Sequence, residues 1–532
     1  MLRGYAGVFL AGGYIHVLNR LSVLDRLVFP FSPHFGWLTM TRPSTNRTHL
    51  ADTENRRRFL RTALAGTGVA LAVPQWTHGG QAVSSAGTAG QRFVEPVQDL
   101  PLCEDADVIV CGGGPAGIAA ALTAARAGAR TRLFEVNGCL GGVWTAGLLT
   151  FIFDFDKPGL SRELRDRLED RGARRCQVPD QFVYEPEEMK LLVEDLCVEA
   201  HVKFQLHTRV AAAYCDQRRL RTVVTESKSG REAWRAPVFI DATGDGDLGA
   251  QAGCGWDIGH GGAECPCQPL TLNALAAVRD ADALKDFISF YHVMDASDRK
   301  GKWAHHRKAT TGLLAEIRRA GIDPSYGHPT LFQVRDNLLM VMVNHEYNVK
   351  AFDAAALSEA TVRARAEVFQ IVRALAKLGG PWAGMQVAAT AEQIGIRDGR
   401  RIHGRYTLTR EDLAGGRHED AVTRATFGVD IHATDRETNK TTPISHGDVK
   451  FRPYDIPLRA LIAKDVDGLL MAGRCISGDF LAHASYRVTG NSVATGEAAA
   501  AVAVLAAQSN RLPHEVTWKE AAALLEKVRQ RA

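Results

Sequence analysis

Residues 107–135, DVIVCGGGPAGIAAALTAARAGARTRLFE, constrain the fold more than any other stretch of this chain. Val108–Val110 is a short β-branched run suited to a buried parallel strand, and Gly112, Gly114 and Gly117 follow it at G-x-G-x-x-G spacing. The first glycine permits a tight turn, the second lets backbone approach a pyrophosphate, and the third lets the following helix pack closely on the sheet. Pro115 opens that helix, where its missing N–H would be unpaired in any case. Ala116 follows it in the first turn, and Gly128 ends the helix. The helix N-terminus then presents its dipole to phosphate. TRLFE reads as the second strand, and Glu135 lies eighteen residues beyond Gly117, near the ~20 expected of an acid that binds a ribose hydroxyl. Strand, turn, helix and acid in register predict an α/β dinucleotide-binding fold. NAD and FAD use the same first half, so this stretch leaves the choice between them open.

Three later segments bear on that choice. NGCLGGVWTAGLLT (137–150) is a glycine loop, with Gly141 and Gly142, directly after the acid. APVFIDATGDGDLGAQAG (236–253) is a strand that breaks into a glycine turn, with Asp241 and Gly244. DGLLMAGRCISG (467–478), with Gly473, is a strand near the C-terminus, and the alanine-rich TGNSVATGEAAAAVAVLAA (489–507) follows it as a helix. A return strand and helix that complete the first domain are the organisation of two-part FAD enzymes.

With these segments the chain resembles the bacterial FAD-dependent oxidoreductases, a family with a glutathione-reductase-type FAD domain that is distantly similar to the flavin subunit of heterodisulfide reductase. The resemblance spans about 105–510 and rests on GGGPAG, FIDATGDGD, IRDGRRIHGRYTLT (396–409), VDIH (429–432), YDIPLRALI (454–462) and LLMAGRCIS. It implies FAD as the cofactor and a two-part FAD-binding, Rossmann-like domain carrying an inserted α+β substrate domain. The implied division is a leader and linker over 1–100, the FAD-binding domain over 101–254 and 461–510, the insertion over 255–460, and a C-terminal helix within 511–532. It also implies that the helix beginning near Asn491 points its N-terminus at the pyrimidine edge of the flavin, where reduction leaves negative charge. Gly490, Asn491 and Ser492 are cofactor candidates on that basis, although an ordinary Asn or Ser helix cap has the same geometry.

GDGDLG (244–249) also fits G-x-G-x-x-G, but Asp245 and Asp247 would set like charge against phosphates. No second nucleotide site for NADPH is expected there. Disulfide reductases of the superfamily need a C-x₄-C beside the flavin, and Trp144 stands where a partner for Cys139 would be. No C-x₂-C-x₂-C run suited to an iron–sulfur cluster occurs either. The ten cysteines are scattered; in the one close pair, Cys265 and Cys267, the one-residue spacer is short of metal-ligand spacing, so both are expected to be plain loop thiols. No metal site is expected.

The net charge of +4 is uneven: residues 1–61 hold nine arginines against three acids, which leaves the remainder at −2. Such a body offers no electrostatic case for nucleic acid or an anionic membrane surface. Within NRRRFLRTALAGTGVALAVP (55–74), paired arginines, Phe59 and Leu60 precede a twelve-residue apolar run, which resembles a twin-arginine export signal. The run is too short to span a bilayer, which takes ~20 residues. Cleavage after Ala86 or Ala89 would suit a signal peptidase, and translation is expected to begin at Met40, which opens a polar leader. A periplasmic or exported protein follows, or a cytoplasmic one if the leader does not function.

Within the insertion, NLLMVMVN (337–344) reads as a buried strand, and residues 358–381 as a long helix whose stripe of Val362, Ala366, Phe369 and Val372 is expected in the core. RDGRRIHGRY sets Arg397, Arg400, Arg401, His403 and Arg405 close together, either to hold a carboxylate or other polar substrate or as a basic strand paired with acids such as Glu411 and Asp412. Arg401 is the first choice in that group because the family shares its Arg-Arg-Ile pattern. His432 in VDIH, and His483 with Arg487 in LAHASYR, are the other catalytic candidates, since an imidazole serves as acid or base near neutral pH. The expectation is an exported FAD-dependent oxidoreductase that moves a hydride or two electrons between a small organic substrate and the flavin, reoxidised by a quinone, a redox protein or oxygen. The alternative is a flavin-carrying electron-transfer subunit acting with a partner redox protein.

Overall fold

The computed structural model describes residues 93–178, 180–261, 266–291 and 298–530. The leader with its paired arginines lies outside the described residues. The sheet expected from the first motif forms from β1 (Val108–Cys111), β2 (Thr131–Phe134), β3 (Lys203–Gln205), β4 (Val238–Asp241) and β5 (Leu469–Met471). The order across it is β5-β4-β1-β2-β3, every neighbour pair parallel, so the C-terminal return strand closes one edge of a doubly wound α/β sheet. Both faces of β1 and β4 are buried, which is why β1 and the first three residues of β4 read as apolar runs.

Two helices lie across this sheet. α1 (Pro115–Arg126) connects β1 to β2, and α2 (Thr489–Ser509) follows the return strand. Alanine and glycine dominate both, so their backbones meet closely: a Cβ on Gly496 would stand 2.2 Å from the carbonyl of Ala116. α2 is buried almost all round, and its one interior carboxylate, Glu497, is answered by Arg529 at 2.9 Å from the C-terminal helix Trp518–Arg529. An antiparallel meander (209–216, 219–227, 230–235) connects β3 to β4 and sets Trp234 against Phe134, ring centroids 5.1 Å apart.

The inserted segment builds an antiparallel sheet in the order Thr330–Arg335, Leu338–Met342, Ala274–Ala277, Gln386–Thr390, covered by helices Arg299–Arg319 and Ala354–Lys377. It has its own core, which includes Leu313, Leu331, Val341, Val368, Ile371 and Trp382. Residues Ile402, Leu408, Leu413, Ala425, Tyr454 and Ile456 instead join the core of the parallel sheet. The buried stripe of helix 354–377 differs from the one read in the sequence. Ala360, Ala364, Val368, Ile371, Val372 and Leu375 face the core, whereas Val362 is 64% exposed. Spacing at 3.6 residues allowed both stripes, and packing on the sheet selected the one led by small alanines. Cys267 is disulfide-bonded rather than a plain thiol. Among the described residues no helix is long and apolar enough to cross a membrane.

Candidate functional site

The carboxyl ends of β1, β2, β4 and β5 open onto a cleft holding about 1070 Å³ of empty space, part of it continuous with solvent. The turn after β1 forms its floor. Gly112 has φ +99°, and a Cβ there would stand 2.5 Å from the Ala242 carbonyl, so no other residue fits. Gly117 allows the close packing expected of the third glycine, since a Cβ on it would lie 1.8 Å from the Gly112 carbonyl. Gly114 has nothing within 4 Å of its Cβ position and lines the cleft with Pro115 and Ala116, so the first turn of α1 presents unpaired N–H groups to the opening. Glu135, 4% exposed, accepts from Gly113 N at 2.6 Å and from Asn137 N and Nδ2 at 2.8 and 2.7 Å. Its carboxylate is thereby fixed at the rim.

Of the other residues expected to hold a cofactor, Gly142, Gly244, Gly473 and Ser492 line the cleft. Gly117 and Gly141 lie behind its wall. Asp241 also stands behind it: its buried carboxylate accepts from Thr243 N and Oγ1 and from Gly249 N, and holds the glycine turn in shape. Burial raises that carboxyl to about 6. Asn491, in the first turn of α2, is 1% exposed, and neither its amide N nor its O has a partner. Such orphaned buried atoms call for a ligand or a water. Two helix N-termini, a rim carboxylate and an unsatisfied amide suit a dinucleotide. Sequence reasoning missed Arg474, which lines the cleft and ties Gly244 O and Asp245, although it directly follows Gly473. It also missed Gln393 and Gly395, which carry no local signal and reach the cleft only through the fold, and Ile396, which opens the IRDGRRIHGRYTLT motif but was not singled out.

Three of the four catalytic candidates join in one buried network at the end of this cleft. Arg487 lines the cleft and donates through Nη2 to Asp430 O at 2.8 Å, Asp430 Oδ2 at 3.1 Å and Gln268 Oε1 at 3.3 Å. Asp430 Oδ2 also lies 3.4 Å from His432 Nε2, and His432 N donates to Gln268 Oε1 at 3.0 Å. Gln268 in turn donates from N and Nε2 to Asp398 at 2.7 and 3.1 Å, and Asp398 Oδ1 stands 3.2 Å from His483 Nδ1. Two Asp–His pairs thus flank Arg487, with Gln268 between them. Neither aspartate nor the glutamine was singled out from the sequence.

Burial pushes His432 down to about 4, helped by the Arg397 charge and opposed by Asp430. Burial likewise pushes His483 down to about 4, opposed by Asp398. Burial alone would raise the Asp430 carboxyl; the contact with His432 and the charges of Arg487 and Arg397 outweigh it and hold that carboxyl below the usual range. Both imidazoles are therefore neutral at pH 7. With Asp430 at Nε2, the assigned tautomer carries its proton there and leaves His432 Nδ1 as a lone pair, buried and without a partner. Tyr326 stacks on His345 at 3.8 Å, and His345 meets His432 at 5.2 Å.

Arg401 makes no hydrogen bond with this network, although its charge acts on His483. Its guanidinium is buried and donates to Gly478 O at 2.9 Å and Gly259 O at 3.0 Å, tying two loops together away from the cleft. Its neighbours are paired as well, though with acids other than Glu411 and Asp412: Arg400 with Asp247 at 2.8 Å, His403 with Asp257 at 3.1 Å and Arg405 with Asp467 at 3.6 Å. Asp412 is taken by His418 and Tyr406.

Solved structures of similar fold include a geranylgeranyl bacteriochlorophyll reductase-like protein from Thermoplasma acidophilum, 14% identical, covering 81% of this chain and 83% of that one with a TM-score of 0.40. Others are a p-nitrophenol 4-monooxygenase from Pseudomonas putida, at 13%, 81%, 90% and 0.40 on the same measures, and a flavin-dependent brominase, at 11%, 80%, 83% and 0.42. At that distance none of them bears on substrate. No curated protein matches the chain significantly. The sequence of residues 107–530 matches the family described as FAD dependent oxidoreductase, and the chain therefore belongs to the FAD-dependent oxidoreductase family.

Proposed function

We propose that this flavoenzyme transfers a hydride or two electrons between FAD and a small organic substrate that carries an O–H or N–H on the carbon being oxidised. Gly112, Gly114, Pro115 and Ala116 would hold the pyrophosphate with the N-terminus of α1, Glu135 the ribose hydroxyls, and Asn491 and Ser492 the flavin end, with Gly142, Gly244 and Gly473 as walls. Bound FAD supplies the two-electron acceptor or donor. The protein supplies the proton's destination: His432 Nδ1 takes the proton from the substrate O–H or N–H while Asp430 steadies the imidazole and the charge it gains. His483 and Asp398 position Gln268, and through it Arg487. The observation that carries this reading is Arg487, which lines the cofactor cleft and at the same time grips the Asp430 of the His432 pair.

The reading keeps the glutathione-reductase-type organisation, supported by return strand β5 and helix α2. It includes twin-arginine export, supported by Arg56 and Arg57 ahead of the apolar run, and reoxidation by a quinone, a redox protein or oxygen. The test is anaerobic reduction of the purified flavoprotein by a panel of small alcohols, hydroxy acids and amines, with NADPH alongside. A donor that bleaches the flavin should do so about 10²–10⁴ times more slowly in His432→Ala at unchanged flavin content. Equal rates in the variant would refute the proton role, and bleaching by NADPH alone would refute the choice of donor.

A further inference from the structure

Arg397 is a half-buried cation with no ion-pair partner among the described residues. Its Nη1 donates to Pro269 O at 2.7 Å and Thr271 Oγ1 at 2.8 Å, both uncharged, and no carboxylate of the described residues forms an ion pair with it. Asp398, next in the chain, turns its carboxylate to Gln268 and His483. Asp430 is committed to Arg487 and His432. A charge drawn partly out of water is held best by a partner of opposite sign, and the acceptors that Arg397 meets are neutral. Burial, followed by the neighbouring charge of Arg487, lowers the Arg397 guanidinium to about 10. Beside it lie two more unsatisfied groups, His345 Nε2 and His432 Nδ1, at 2% and 6% residue exposure.

We infer that the substrate carries a carboxylate, which pairs with Arg397 while the reacting O–H or N–H meets His432 Nδ1. A planar monoanion suits a single guanidinium fork. A dianionic phosphate would set its second charge against the Asp430 carboxylate. The two contacts also reinforce each other. Arg397 is the largest charge acting against protonation of His432, so an anion seated on Arg397 would make that imidazole a stronger base when substrate is present. The position of the reacting group rests on the proton role proposed for His432; the anion site stands on Arg397 alone.

The test titrates the purified holoprotein with lactate and benzoate, with their amides lactamide and benzamide, and with inorganic phosphate, following the flavin absorbance difference spectrum. At least one carboxylate should give saturable binding, its amide should bind roughly ten- to a hundredfold more weakly, and Arg397→Met should erase that preference at wild-type flavin content. Amides that bind as well as the acids, no response to either acid, or binding of phosphate alone would each overturn the inference. The comparison of acid with amide in the wild type decides the matter even if Arg397→Met fails to fold. Saturable carboxylate binding with no flavin bleaching by any hydroxy acid would uphold the anion site and count against the proton role. Bleaching by neutral alcohols with KM values equal to those of their acids would do the reverse.

Discussion

Gly117→Ala adds one methyl group to the third glycine of the turn, inside α1, where alanine normally stabilises a helix by about 1 kcal/mol over glycine. Here the sign should reverse. The new Cβ would stand 1.8 Å from the Gly112 carbonyl oxygen, 2.9 Å from its carbon and 3.3 Å from Ala242 Cβ. Relief to an ordinary contact needs α1 to withdraw by roughly 1.5 Å, and overpacking of that kind costs about 1–3 kcal/mol. α1 has little room to withdraw, because Gly496 of α2 holds backbone against Ala116 on its other side. The expected result is a net loss of about 2 kcal/mol in thermal or urea unfolding, together with substoichiometric flavin, since the displaced N-terminus no longer meets the pyrophosphate. Gly114→Ala is the control. Its φ is −74° and its Cβ would touch nothing within 4 Å, so the apoprotein should unfold within about 0.5 kcal/mol of wild type. FAD affinity should nevertheless fall at least about tenfold, because the methyl group enters the cleft where backbone approaches the phosphates. Apoprotein stability and FAD dissociation constants measured on both variants separate the two roles. Wild-type stability and full flavin content in Gly117→Ala would refute the close-packing argument.

Three further outcomes follow from the same geometry. Glu135→Gln leaves one of the donors from Gly113 and Asn137 without its acceptor, so about 1–2 kcal/mol of stability should be lost and FAD fluorescence quenching should report at least tenfold weaker binding; an unchanged dissociation constant would show that the carboxylate does not meet the cofactor. His483 is neutral when folded, at about 4 against an ordinary 6.5, so the unfolded chain takes up its proton first as pH falls through that window and the wild type loses stability there. His483→Gln removes this dependence, and the stability difference between wild type and variant should shrink by about 2–3 kcal/mol from pH 7.5 to pH 4.5; a gap that stays constant in urea unfolding at both values would contradict the buried neutral imidazole. Arg401→Met should lower the melting temperature by releasing Gly478 O and Gly259 O while flavin content and the rate of flavin reduction stay at wild-type values; a rate loss at full flavin content would return Arg401 to the reaction.

The turn, helix α1 and the rim acid were legible because each is a local rule. A glycine with positive φ, a proline at N1 and a carboxylate closing the second strand declare themselves within thirty residues, and Gly112, Pro115 and Glu135 stand where the spacing put them. The same local logic misled for helix 354–377, where two stripes satisfy helical periodicity and only contact with the inserted sheet selects Ala360 and Ala364 over Val362. It was also insufficient for RDGRRIHGRY. Five basic groups in a row look alike in sequence, yet Arg400, His403 and Arg405 each pair with an acid from a distant segment, whereas Arg397 and Arg401 meet only neutral acceptors.

The sequence by itself determined the parallel strand, the glycine turn and a dinucleotide as the ligand, since these depend on hydrophobic runs and turn stereochemistry that neighbours along the chain enforce. Only the tertiary structure decided which polar residues meet at the end of the cleft. Gln268, Tyr326, His345, Arg397, Asp430 and Arg487 come from six separate segments, and whether a histidine there is neutral or an arginine unpaired depends on burial and on charges a few ångströms away. Those quantities are set by packing across the whole chain, which no single stretch of sequence contains.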